Sequence, residues 1–269
     1  MRKKDKMSVN ITYIFHIFSY FIIYSFMGWV LETVYKTIYQ KKFINSGFLH
    51  GPFCPIYGIG AIIMYIFLNI FKDNPIFLFI MAILILSVWE YIVGLLLEKL
   101  FDTKYWDYSD KKFNIQGRIC LWNSIIWGIL GIVFTYIIHP FVMDKLNEIP
   151  QNILEYVTIL IMFYILIDGI VTIIKVRSID VKLRKLNELS DRLKEKVEEL
   201  KMLKENIELK SIKSQEIQKI IDELKYKQTK LKRKLLRQTN RLRKAFPTMK
   251  SEKITEFLNQ KIEIRKKDK

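Results

Sequence analysis

Glycine is missing after Gly169, and beyond Pro150 proline returns only at Pro247. The last hundred residues therefore lack the usual turn formers, which excludes a compact, loop-rich domain there and favours long helices. Cysteine is scarce as well: Cys54 and Cys120 have no recurring spacing, which excludes a disulfide framework or a cysteine zinc site and leaves two reduced, packed thiols. No His-Glu-x-x-His pair, nucleophile elbow or Gly-Lys-Ser/Thr phosphate loop is present, so neither an enzyme nor ATP hydrolysis by this chain is expected. No cofactor or metal is implied either. Acidic residues are absent from Lys225 to Lys250.

The charge that is present is unevenly placed. Residues 1–174 hold 14 basic and 12 acidic side chains, whereas 175–269 hold 30 and 15. Two different physical objects are joined near residue 175. The first is an apolar domain over 1–174, followed by a predicted cytoplasmic coiled coil over 175–246 and a short basic segment over 247–269.

A bilayer core about 30 Å thick is crossed by about 20 apolar residues in a helix. The uncharged run Ile11–Leu31 meets that length; it is too long for a signal peptide's apolar region and reads as a retained span. Residues 43–71 are also free of charge, but 45–60 contain two prolines and four glycines and cannot form a regular helix. A short helix from Tyr57 to Phe71 is expected behind a loop that dips into the bilayer. Three further spans follow: Pro75–Leu97, Ile119–Ile138 (ending at His139-Pro140) and Ile153–Ile174. The fold class is thus an all-α polytopic bundle of about five spans, one with an irregular Gly/Pro-rich loop, and a long C-terminal helix. Tyr105, Trp106 and Tyr108 suit the headgroup level. Lys/Arg counts place the tail in the cytoplasm, with the four basic residues of the N-terminus in conflict. The Lys/Ile/Asn-rich composition fits an AT-biased bacterial genome, hence a bacterial cell membrane.

In the tail, apolar residues recur at steps of three and four: Ile179, Leu183, Leu186, Leu193, Val197, Leu200 and Ile207, then Ile217, Ile221, Leu224, Leu231, Leu235 and Leu242. The offset between the two sets resembles a stammer in a heptad pattern. A continuous helix of roughly 100 Å is expected, with a hairpin at Ser211–Ser214 as the alternative. So narrow a seam implies a partner, and a parallel homodimer through 179–242 is the simplest. Ten Lys/Arg between Lys225 and Lys244 could meet anionic lipid. Nucleic acid is the weaker reading, since Tyr226 is the one aromatic in that run. After Pro247, Ser251 is placed to cap a short helix over Glu252–Ile264.

Ionisable residues within spans are functional candidates. Glu32 ends the first span, four residues before Lys36, the spacing of an ion pair. Glu90 lies deeper, with Gly94 and Glu98 one and two turns on; Arg118 and Asn123 are its candidate partners. Asp168 lies in the last span. His16 and His139 read as packing or interfacial residues.

Several strings resemble one bacterial membrane family, the type IV ABC-transporter permeases. They are Phe26-Met27-Gly28-Trp29-Val30-Leu31-Glu32, Asn45-Ser46-Gly47-Phe48-Leu49 and Gly51-Pro52-Phe53-Cys54-Pro55-Ile56-Tyr57-Gly58. Further on they are Trp89-Glu90-Tyr91, Trp106-Asp107-Tyr108-Ser109, 113–121 and 127–131, with 243–251 similar to the end of some members. Ser46 stands where the family more often has Arg. The resemblance implies a permease subunit served by a separate ATPase. Its motif residues Glu32, Asn45, Cys54, Tyr57, Glu90, Asp107, Asn114, Arg118 and Cys120 point to one polar site or substrate pathway near a membrane face. A membrane sensor or scaffold signalling through the tail is the alternative. An intramembrane enzyme has only Asp107, His50 and the cysteines behind it.

Overall fold

The computed structural model describes residues 3–205, 212–255 and 257. The protein is an all-α polytopic bundle, and its apolar helices and long exposed apolar faces are those of a multi-pass membrane protein. Four stretches are long and apolar enough to cross a bilayer: Thr12–Gln40 within α1 (Lys3–Gln40), α3 (Pro75–Phe101), Leu121–Asn147, and Gln151–Met202 within α6 (Gln151–Glu205). A shorter apolar helix, Pro55–Phe71, consists of α2 (Pro55–Leu68) and a closing 3₁₀ turn. Among the described residues the strands are β1 (Asn114–Ile115) and β2 (Ile119–Cys120), a two-residue antiparallel hairpin.

Local chemistry sets the helix ends. The Asn74 side chain caps α3 by accepting from the Phe77 amide at 3.1 Å, with Pro75 in the first turn. Asp102 ends α3 in the left-handed region, its amide returning to the Glu98 carbonyl at 2.8 Å. The span expected to stop at His139-Pro140 does not stop. Pro140 removes one helical donor and crowds the preceding turn, and the chain absorbs this in a π turn over Phe134–Ile138. The helix beginning as α4 (Leu121–Val133) then continues as α5 (His139–Asn147).

Small residues let the helices approach. A side chain at Gly58 would run into Ser25 and the Phe21 carbonyl of α1, and one at Gly28 into the Tyr57 ring. On the other side Gly128 and Gly131 receive Phe79, Ile83 and Ala82 of α3, and the Ser87 and Ser124 hydroxyls meet at 2.7 Å. The buried core between them holds Tyr20, Tyr24, Met64, Leu68, Leu86 and Phe134.

By packing, residues 1–172 and 244–250 form one unit, and 173–243 with 251–269 a second. Within the second unit, the Lys182 ammonium donates to the Gln238 amide oxygen at 2.8 Å. In a straight helix these residues, 56 apart, would stand about 84 Å from each other. The expected continuous helix is therefore corrected: α6 and α7 (Ile212–Ala245) lie antiparallel. Lys253, beyond the end of α7, faces Asp180, on the same arm as Lys182, at 3.7 Å. The turn, including Ser211, lies outside the described residues. Ile179, Leu186, Ile217, Ile221, Leu235 and Leu242 are all buried within the one chain. Residues 252–255 are helical; the rest of the helix expected up to Ile264 lies outside the described residues apart from 257.

Candidate functional site

Glu90 is 4 % exposed, on the face of α3 that meets α4. Its carboxylate accepts from Trp127 Nε1 at 2.9 Å, Asn123 Nδ2 at 3.1 Å and the Tyr108 hydroxyl at 3.2 Å. Asn123 Nδ2 also reaches the Tyr108 oxygen at 2.7 Å. All three donors are neutral. Of the two expected partners Asn123 is present; Arg118 is not, and this expectation is corrected. The Arg118 guanidinium instead grips Glu98, two turns beyond Glu90, at 2.8 and 3.1 Å, and lies 5.4 Å from the Tyr91 ring.

Glu32 forms the second pole. It pairs with Lys36 one turn on and accepts from the Tyr57 hydroxyl at 3.0 Å. The Tyr57 ring lies 6.1 Å from that of Trp127, so α2 bridges the two carboxylates. The structure therefore brings Glu32, Tyr57 and Glu90 together, with Tyr108, Asn123 and Trp127 completing the group.

The other sequence candidates do different work. Asn45 accepts from Trp29 Nε1 at 2.7 Å and donates to the His50 carbonyl at 2.8 Å, clasping the Gly/Pro-rich loop. Asp168 receives the amides of His50 and Gly51 at 3.2 and 2.7 Å, while Thr172 meets His50 Nδ1 at 2.7 Å. The Cys54 amide donates to the Ser25 carbonyl at 2.9 Å, in the middle of α1. The loop is thus drawn in against the middle of α1, and side chains and carbonyls of the spans satisfy its backbone. Ser46 is fully buried beside it. Asn114 fastens the loop of 104–118, donating to the Ser109 and Lys111 carbonyls and accepting from the Gly117 amide. Cys54 and Cys120 are free, buried thiols. Tyr105 is 2 % exposed, its ring between those of Phe48 and Phe246 at 5.5 and 4.9 Å. Trp106 donates to the Arg118 carbonyl at 2.9 Å.

Asp107 accepts from the Ser109 amide and hydroxyl at 3.1 and 2.6 Å and forms an ion pair with Lys250. Lys250 belongs to residues 244–250, which pack with the bundle. Its backbone exchanges two hydrogen bonds with Lys104, both 2.9 Å, and the Asp107 amide donates to Thr248 Oγ1 at 3.4 Å. Lys36 Nζ donates to the Ala245 carbonyl at 2.6 Å and stands 5.5 Å from the Phe246 ring. The signal for Lys250 in the sequence was its place in the 243–251 string; nothing there specified its partner.

Burial raises the Asp107 carboxyl, but the Lys250 ammonium and the Ser109 donors outweigh it and hold the group below its ordinary 3.8. The hydrogen bond to Asp107 and its charge raise Lys250 above 10.5, with Asp110 adding to them. A lowered acid stabilises the docked state above its ordinary value and loses that contribution as pH falls through the lowered one. A raised base contributes below 10.5 and loses it only above the raised value. Docking of 244–250 is thus expected to be flat from pH 5 to 9 and to weaken below pH 4. Protection of the Lys104 and Lys250 amides against hydrogen exchange, corrected for intrinsic rate, reads this directly.

Among the described residues no three His, Cys, Asp or Glu side chains gather in a way that would hold a metal ion. A family model described as "Putative ABC-transporter type IV" matches residues 19–173, more than half of the chain. No curated protein and no solved structure matches it.

Proposed function

We propose, for a chain that belongs to the family of putative type IV ABC transporters, that it is a membrane-crossing transport subunit, served by a separate ATPase, whose cargo passes Glu32 and Glu90. The observation that carries this is the environment of Glu90. A carboxylate in the bilayer interior is costly and marks ion or substrate paths. Its three protein donors orient it but are neutral, which leaves its charge for a cation or proton to balance. Glu32, tied to Tyr57 and Lys36, extends the polar line toward the end of the bundle that holds the loops 41–54 and 102–118.

That end faces the cytoplasm on this reading, since it carries Lys41, Lys42, Lys104, Lys111 and Lys112 and the tail with its 30 basic residues. Anionic lipid is the proposed counter-charge for the basic stretch 225–244. Ile179, Leu186, Ile217, Ile221, Leu235 and Leu242 of the seam are buried within the chain, so a homodimer through them would have to displace one arm of the hairpin. The proposal is therefore built on one bundle and its ATPase.

Affinity purification in mild detergent with mass spectrometry is expected to recover an ATPase in stoichiometric amount. In liposomes carrying that complex, Glu90→Gln is expected to retain the ATPase but to lose ATP-driven proton flux, read by an internal pH dye, at least tenfold. Purification without any ATPase would sink the transport reading. A sensor reading is favoured by one observation, the docking of 244–250 on the bundle; it expects deletion of 178–269 to abolish function with the bundle still folded.

A further inference from the structure

The seven residues 244–250 pack with the bundle, while the chain on both sides of them, 173–243 and 251–269, belongs to the other unit. A short set of contacts holds them. There is a single β-bridge to Lys104, a ring contact between Phe246 and Tyr105, and an ion pair to Asp107 in which the Lys250 side chain is 63 % exposed. Lys250 itself is open to water, whereas the groups it and Phe246 meet are covered: the Asp107 side chain is 3 % exposed and Tyr105 2 %.

The position matters more than the strength. Lys36 Nζ pairs with Glu32 on one side and donates to the Ala245 carbonyl on the other, with Phe246 beside it. One ammonium thus stands between the segment and the polar line, and the Ala245 carbonyl covers it from outside. Below Lys36 along α1 come Glu32, then Gly28 against Tyr57, then Ser25 with the Cys54 amide. The 11 residues from Ser25 to Lys36 correspond to about 16 Å of helix.

We propose that residues 245–250 are a releasable strap that closes the tail-side entrance to the polar line, so that movement of the tail controls access to Glu32. This rests on the reading of Glu32 and Glu90 as a pathway, but access itself can be measured without any cargo. Peeling the strap would free Lys36 from Ala245, remove Phe246 from Tyr105 and open the Glu32 end to water. Because Tyr105 also meets Phe48 edge-on, next to Gly47 against Cys54, the same movement would loosen the cover over Cys54.

Cys54, 2 % exposed, reports on this depth, and Cys120→Ser leaves it the one thiol in the chain. The full chain in liposomes is treated with a charged, membrane-impermeant maleimide. Truncation after Lys244 is expected to raise the Cys54 labelling rate at least tenfold, and a peptide of residues 245–251 to bring it back. Labelling that stays slow would overturn the strap, and so would fast labelling that the peptide leaves unchanged, since that reports a loosened bundle. In the same Cys120→Ser background, Lys104→Cys with Lys250→Cys, oxidised to a disulfide, is expected to slow Cys54 labelling below the unlocked rate until reductant is added. Equal rates locked and unlocked would show that the segment never lifts. Normal proton flux in Glu90→Gln would remove the transport reading and leave these labelling results standing.

Discussion

Leucine in place of Gly58 is expected to separate α1 from α2 and to remove most of the folded protein from the membrane. A Cβ there would meet the Phe21 carbonyl, which is backbone and cannot swing aside, as well as the Ser25 hydroxyl. Overpacking of this kind costs roughly 1–3 kcal/mol where side chains can yield, and more where the obstacle is main chain. The loss would reach beyond the helix pair, because α2 carries Tyr57, the bridge between Glu32 and Trp127. Gly60, two residues on, serves as the control: its nearest neighbour is the Trp89 ring at 3.5 Å, an ordinary contact. Gly60→Ala is expected to melt within a few degrees of the parent in detergent, while Gly58→Leu elutes as aggregate in size-exclusion chromatography. A monodisperse Gly58→Leu protein with the parent's melting temperature would refute the close approach.

Asp168→Ala carries the second large effect. It strips the acceptor from two backbone amides, His50 and Gly51, that have few alternatives at membrane depth. An unsatisfied buried donor costs about 1–3 kcal/mol, so two together approach the whole stability of a local element. The expected result is a dipping loop that exchanges its amide hydrogens at least a hundredfold faster, with the α3–α4 half of the bundle still protected. Asp168→Asn keeps one accepting oxygen and is expected to fall between. Unchanged protection of 47–54 in Asp168→Ala would mean that other groups hold the loop.

How much of this was readable from the residues differs from place to place. Span positions followed from apolar runs, because bilayer thickness imposes a length that composition alone can meet. The irregular loop was equally plain, since prolines and glycines leave no helix there. Glu90 announces itself as a charge in a span, with Asn123 and Arg118 as candidate partners; helical spacing cannot say whether Arg118 meets Glu90 or Glu98, two turns apart on one face, and it meets Glu98. Pro140 reads as a stop, though a helix held on several sides by packing tolerates a π turn. Glu32 with Lys36 was a local pair and so visible, whereas Tyr57 reaches Glu32 across a helix interface that no spacing encodes. In the tail Ile179, Leu186, Ile217, Ile221, Leu235 and Leu242 of the seam are buried, but the continuous helix drawn through them is two antiparallel arms. Heptad pattern specifies an apolar face without saying which chain covers it, and no glycine or proline marks the reversal. Asp107 and Asn114, grouped with a pathway by resemblance, hold a loop and a strap.

The antiparallel tail has a consequence for how such a chain can vary in length. It leaves the bundle unit after Thr172 and rejoins it at Lys244, with Lys182 set opposite Gln238 between those points. A residue gained or lost in one arm alone shifts every later pairing and delivers Lys250 to the wrong place along the edge at Lys104. Away from the reversal itself, only changes made in both arms together, by whole heptads, leave seam and return point in register. Tail length is thereby quantised: viable homologues should differ there by about fourteen residues at a time, seven from each side of the reversal.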